Sequence, residues 1–219
     1  KRMVTEYKPK GVAFVAISPN DPSAVRLDEL GYTDLNDSLE DMAFRARDRK
    51  FNFPYLYDGE TQEAAKKYGP TATPHVFLFD KERILRYRGR IDDNERDETK
   101  VTQHDTQNAL DAMLAGKPVP VEITKPFGCS VKWASKRGSV KDYFAKANAE
   151  EVKVEPIDAE GIKKIVANST EKYRLINVWA TWCGPCAAEF PDLVEINRMY
   201  RNRPFEFVAI KIGRASCRE

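Results

Sequence analysis

Leu175-Ile-Asn-Val-Trp-Ala-Thr-Trp-Cys-Gly-Pro-Cys186 decides how this chain is read. An apolar run of strand length ends in two thiols separated by Gly184 and Pro185. The residues after Cys186 return to helical spacing, with Phe190, Leu193, Val194 and Ile196 on the inward face. A Cys-x-x-Cys pair at the start of a helix suits disulfide exchange. The thiolate is the reactive form, and free backbone N–H groups at a helix N-terminus favour a negative sulfur. Trp179 and Trp182 frame the pair. Gly184 allows close approach and Pro185 stiffens the loop.

Around this stretch the chain reads as an α/β protein. Of its 219 residues, 42% are apolar and 32% charged, and the net charge of +2 offers no electrostatic footing for nucleic acid. No apolar stretch approaches a membrane span, and no signal peptide is visible, since Lys1–Tyr7 reads as part of a helix. Four cysteines (Cys129, Cys183, Cys186 and Cys217) are too few for a disulfide scaffold. A zinc site would need two further ligands at short spacing, and His75 and His104 are isolated, so no metal is expected.

Upstream, Gly11–Ser18 reads as a strand buried on both faces. Asp37 with Glu40 suggests a capping box, followed by a helix with Leu39, Met42, Ala43 and Ala46 on one face. Phe53–Tyr57 reads as a short strand. Thr61–Tyr68 reads as a helix stopped by Gly69 and Pro70. His75–Phe79 and Arg83–Arg88 form a hairpin about Asp80, and a helix carries Leu110, Met113 and Leu114. The order β-α-β-α-β-β-α is a layered α/β pattern. Pro118, Pro120 and Pro126 then argue for extended chain, Ser139 caps a helix to Ala149, and Asp158 caps another before the strand Tyr173–Ala180. Phe205–Ile210 reads as a further strand. The Asp92, Asp93, Glu95, Asp97 and Glu98 cluster reads as a solvated turn, with a spacing not diagnostic of calcium. Cys129 reads as a half-buried structural thiol.

With Glu189-Phe-Pro-Asp-Leu193, the quoted stretch resembles the thioredoxin superfamily, most closely the TlpA-like thiol–disulfide oxidoreductases. Pro191 matches the proline that kinks the first active-site helix there. Gly11–Ile17 through Phe127-Gly-Cys-Ser-Val-Lys-Trp133 resembles the AhpC/TSA-type redoxin domains of the same superfamily. Thr73-Pro74 then sits at the superfamily's cis-proline, beside the edge that pairs with client peptides. The resemblance implies two partial thioredoxin-like folds in tandem, each a central mixed sheet flanked by helices. Residues 1–118 would be a redoxin domain lacking its first strand and cysteine motif, and 119–156 a connector and linker. Residues 157–210 would be the front half of a dithiol domain, and 211–219 a non-native tail. The tail expectation rests on Ile212–Glu219, which back-translates onto a common sequencing adapter and would make Cys217 non-native.

The resemblance further implies that Cys183 attacks a client disulfide and Cys186 resolves the mixed disulfide. In thioredoxin an aspartate serves at the position of Asn177, which cannot take a proton. Glu189 is the candidate base instead. No cofactor is implied beyond the Cys183–Cys186 redox disulfide. The implied partners are client proteins with disulfides or thiols and an upstream dithiol reductant. The implied place is outside the cytoplasm, in a periplasm or cell envelope, and the implied direction is reducing. Two alternatives remain: a thiol peroxidase activity in the first unit, or a non-catalytic first unit that presents clients through the edge near Pro74.

Overall fold

The computed structural model describes residues 1–30, 35–94 and 96–213. In chain order the elements are α1 (Arg2–Tyr7), β1 (Ala16–Ser18), α2 (Leu39–Asp48), β2 (Tyr55–Tyr57), α3 (Glu63–Tyr68), β3 (Val76–Phe79), β4 (Leu85–Gly89) and α4 (Asp105–Leu114). They continue as α5 (Arg137–Asn148), α6 (Ala159–Ala167), β5 (Tyr173–Trp179), α7 (Gly184–Tyr200) and β6 (Phe205–Lys211). The chain divides into two compact units, Lys1–Ala24 with Asp37–Gly138, and Val25–Asn36 with Ser139–Glu219.

In the first unit the strands pair two by two. β1 runs parallel to β2, with Ile17 opposite Leu56, and β3 is antiparallel to β4 with an irregularity between Leu78 and Phe79. The strand expected over Gly11–Ser18 shrinks to Ala16–Ser18, because β2 offers only Tyr55–Tyr57 as ladder partners. It is not buried on both faces either: Val15, Ile17 and Leu56 stay exposed.

Local chemistry sets the helix ends. The cap of α2 is Ser38 rather than Asp37; its Oγ accepts the Asp41 N–H at 3.1 Å, while Asp37 takes the Asn20 amide at 2.8 Å. Of the face expected on α2, Met42 is buried but Leu39 is exposed. The N-terminus of α3 is held by Asp58, whose carboxylate accepts from the Ala64 and Ala65 N–H groups at 3.2 and 2.8 Å. Gly69, at φ 65°, ends that helix by returning its N–H to Ala65 O. α5 starts at Arg137, two residues before the expected Ser139 cap, because a tight turn over Ala134–Lys136 leads straight into it.

The core of this unit combines apolar packing with satisfied polar groups. Tyr7, Met42, Ala65, Tyr87, Ala109, Leu110 and Val131 are buried. Tyr7 donates to Asp111 Oδ1 at 2.7 Å, and Tyr87 donates to Arg90 O at 2.6 Å. Gln62, only 1% exposed, donates to Pro19 O and Lys132 O at 2.6 and 2.9 Å and accepts from Ala134 N at 2.9 Å. Residues after 118 therefore belong to this unit by contact as far as Gly138.

The second unit is built on β5 and β6, which pair in parallel from Tyr173 opposite Phe205 to Trp179 opposite Lys211. Arg174 reaches Glu206 at 2.6 Å and donates to Ile165 O near the end of α6. Asp158 caps α6 as its position suggests, with Oδ1 accepting from Gly161 N at 2.8 Å. β6 runs through Lys211, and Ile212 N donates to Trp179 O at 2.8 Å, so the strand enters the stretch expected to be tail. From 214 onward the expected tail, with Cys217, lies outside the described residues.

Candidate functional site

The dithiol lies where β5 hands over to α7. After Trp179 the chain turns through Ala180, which is 2% exposed, and Cys183 N donates back to Ala180 O at 3.1 Å. That turn sets Cys183 at the N-cap of α7, with extended backbone angles of φ −92° and ψ 97°. Its Sγ accepts the Cys186 N–H at 3.3 Å. Pro185 falls in the first helical turn, where its missing N–H costs no helix bond. Cys183 and Cys186 are joined as a disulfide, with Cα atoms 5.3 Å apart.

The framing residues divide into two roles. Trp179 is half-buried and meets the Phe190 ring edge-on at 4.6 Å, which fixes the first turns of α7 on the strand. Trp182, the residue before Cys183, is 54% exposed. The two cysteines are both half-buried in this oxidised state. Pro191 lies inside α7 and leaves Ala187 O without its usual donor four residues on.

Glu189 is exposed on α7. Asn177 has the opposite character: its Oδ1 is buried with no hydrogen-bond partner among the described residues. Sequence reasoning noted only that Asn177 cannot take a proton; its isolation depends on what β5 packs against.

In the first unit the Thr73–Pro74 peptide bond is cis. The edge beside it is occupied. Thr73 N donates to Cys129 O at 2.8 Å and Cys129 N donates to Thr73 O at 3.1 Å, an antiparallel bridge. Cys129 itself is a free, exposed thiol, not the half-buried one expected. His75 packs against Phe77 at 4.5 Å, and its Nδ1 accepts the Thr71 N–H at 3.3 Å. Burial, then the nearby Arg88 charge, hold its pKa below the usual value.

The acidic loop is consumed by its own turn. Asp93 accepts from the backbone and hydroxyl of Thr102, and Asp97 accepts from Thr99 N at 3.0 Å. The Thr102 hydroxyl first, then backbone bonds at Gln103 and Thr102, lower the Asp93 pKa to about 2. Glu95 lies outside the described residues. Among the described residues no three His, Cys, Asp or Glu side chains converge on a metal position. Among them, too, no helix is long and apolar enough to cross a membrane.

A strand, a turn and a helix capped by the first of two paired cysteines in one unit, and a cis-proline before a hairpin in the other, define a thioredoxin-type α/β protein. Residues 1–88 match the AhpC/TSA family. The chain belongs to the thioredoxin superfamily and carries a redoxin domain of that family.

Its likeness to solved structures is close in sequence. An uncharacterized conserved protein from Geobacillus kaustophilus is 42% identical with a TM-score of 0.51, over 60% of this chain and 65% of that one. A hypothetical protein of Sinorhizobium meliloti is 36% identical with a TM-score of 0.52, over 61% of this chain and 68% of that one. Among named relatives, the thiol-disulfide oxidoreductase ResA of Geobacillus thermodenitrificans is 32% identical over 56 residues, 26% of this chain and 32% of ResA. The thiol:disulfide interchange protein HelX of Rhodobacter capsulatus is 35% identical over 55 residues, 25% of this chain and 31% of HelX. The chain thus spans about a third of the length of these curated relatives.

Proposed function

We propose that the protein is a thiol–disulfide oxidoreductase in which two thioredoxin-type units lie in tandem and the second performs the exchange. The observation that carries this reading is the Cys183–Cys186 pair at the N-terminus of α7, with Cys183 Sγ already accepting a backbone N–H. Once the pair is reduced, the same N–H and the helix dipole favour a thiolate at Cys183. That sulfur attacks one sulfur of a client disulfide and displaces the other as a thiolate. Cys186, deprotonated, then attacks Cys183 Sγ, closes the intramolecular disulfide and releases the second client thiolate. Two electrons pass to the client, whose two thiolates take up the protons given by the dithiol.

The dithiol needs no further cofactor, and an upstream dithiol resets it. Glu189 serves as the base for Cys186 through water, since it is exposed. The names of ResA and HelX support the exchange chemistry, and the TlpA-like resemblance supports a reducing role outside the cytoplasm. Redox titration of the 219-residue chain tests the direction. A strongly reducing potential, well below the roughly −120 mV of an oxidant such as DsbA, is expected; a value near that figure overturns the assignment.

A further inference from the structure

The β3–β4 hairpin has two unlike faces. On one, Leu78 lies opposite Tyr87, which is 1% exposed. Phe77 and Phe79 alternate onto the other, where Arg88 lies opposite Phe77 and Leu85 opposite Phe79. Tyr68, at the end of α3, sets its ring edge-on to both phenylalanines at 5.2 and 5.9 Å. Ile84 stands in the turn that joins the strands. Tyr68, Phe79, Ile84 and Leu85 each keep 40–50% of their surface exposed. A single exposed apolar side chain is ordinary, whereas a contiguous group of four asks for a partner. The group sits at the turn end of β3, the end away from Pro74.

Its surroundings are basic. Lys66–Tyr68 and Val76–Arg88 bring Lys66, Lys67, Lys81, Arg83, Arg86 and Arg88 against two carboxylates, Asp80 and Glu82. Both carboxylates are engaged: Asp80 Oδ2 accepts from Arg86 Nε at 2.6 Å, and Glu82 lies 3.6 Å from Lys81. The turn also keeps its backbone polar groups to itself. Asp80 N donates to Ile84 O and Arg83 N to Asp80 O, both at 3.0 Å, and Ile84 N donates to Asp80 Oδ1 at 2.8 Å. A partner recognised through hydrogen bonds would find these groups spent. An apolar layer with an anionic border asks for none of them, and it requires that backbone entering it be satisfied internally.

We propose that the turn end of the β3–β4 hairpin docks on an anionic lipid surface. Ile84, Phe79, Leu85 and Tyr68 enter the boundary between headgroups and acyl chains, and Lys67, Lys81, Arg83 and Arg88 meet the headgroup charge. The binding is peripheral and reversible, since it rests on a few side chains and surface charge. It does not depend on the chemistry of the Cys183–Cys186 pair.

The test floats the full chain with vesicles of equimolar phosphatidylglycerol and phosphatidylcholine, and with vesicles of phosphatidylcholine alone. The chain is expected to bind the mixed vesicles about 100-fold tighter, an advantage that high salt removes. Ile84→Ser should weaken binding to the mixed vesicles about tenfold through lost apolar burial. Lys67→Gln and Lys81→Gln should each weaken it about fivefold. All three positions are exposed, so the fold should hold. If Ile84→Ser does not fold, Leu85→Thr, a replacement suited to a strand, is read in its place. Absent binding, or equal binding to the two kinds of vesicle, overturns the proposal. So does binding that falls with the lysine variants but ignores the apolar one, which marks a surface reading charge alone, as an acidic protein would supply. Self-association by light scattering that the apolar variant abolishes would give the patch to a second copy of the chain, and would overturn it too.

Discussion

Cys186 donates its backbone N–H to the sulfur of Cys183 across 3.3 Å, so the first cysteine caps the helix that carries the second. The cap makes the two thiols unequal even though both are half-buried. Cys186→Ser is expected to accumulate a mixed disulfide with a model client, because attack proceeds and resolution does not. Cys183→Ser is expected to form none. Non-reducing electrophoresis with mass spectrometry reads both, and a trapped adduct in Cys183→Ser alone would reverse the roles.

Glu189 stands on the solvent side of α7. A positioned base is worth about 100-fold or more, and an exposed carboxylate competing with water supplies less. Glu189→Gln is expected to slow resolution by roughly tenfold. Stopped-flow tryptophan fluorescence follows the step; an unchanged rate rejects the residue as base.

Gln62 serves three backbone groups at once: the carbonyls of Pro19 and Lys132 and the N–H of Ala134. Gln62→Leu leaves all three unpaired in a buried place. A loss of about 3 kcal/mol is expected for the first unit, at roughly 1 kcal/mol per net hydrogen bond. Urea unfolding monitored at first-unit amides measures it.

Tyr7 is buried and donates to Asp111, and these two causes, burial first, push its pKa from 10.0 up to about 12. The folded state prefers the neutral hydroxyl more than the unfolded chain does. Its contribution is therefore whole below pH 10 and is lost as pH climbs from 10 through about 12. Thermal unfolding should show Tm falling over that window in the parent chain and a shallower fall in Tyr7→Phe.

Trp179 holds α7 through Phe190. Trp179→Ala is expected to cost about 2 kcal/mol in the second unit, below the range for a fully buried ring because this one is half-buried. It should also loosen the Cys183 cap, seen as faster exchange of the Cys186 amide in the reduced protein.

Much of the fold was legible because local chemistry decides it. Asp158 caps α6 and Gly69 ends α3 through bonds that span only a few residues. The paired cysteines, the strand before them and the helix after them lie in one continuous stretch, so the site could be read from it. Where distant chain supplies the partner, the reading fell short. β1 is three residues long because β2 is, and Cys129 is exposed because its backbone, not its side chain, answers Thr73. The Ser38 cap displaced the Asp37 reading by a single residue: Asp37 was engaged by Asn20 from another part of the chain.

The sequence by itself determined where the paired thiols stand, at a helix start, through residue types and spacing that act within a turn or two. Tertiary structure alone decided which edges are open. The residue that answers Thr73 lies 56 positions away, and the sequence carries no local signal for such a pairing. It arises because buried backbone donors and acceptors must find partners wherever folding brings them together.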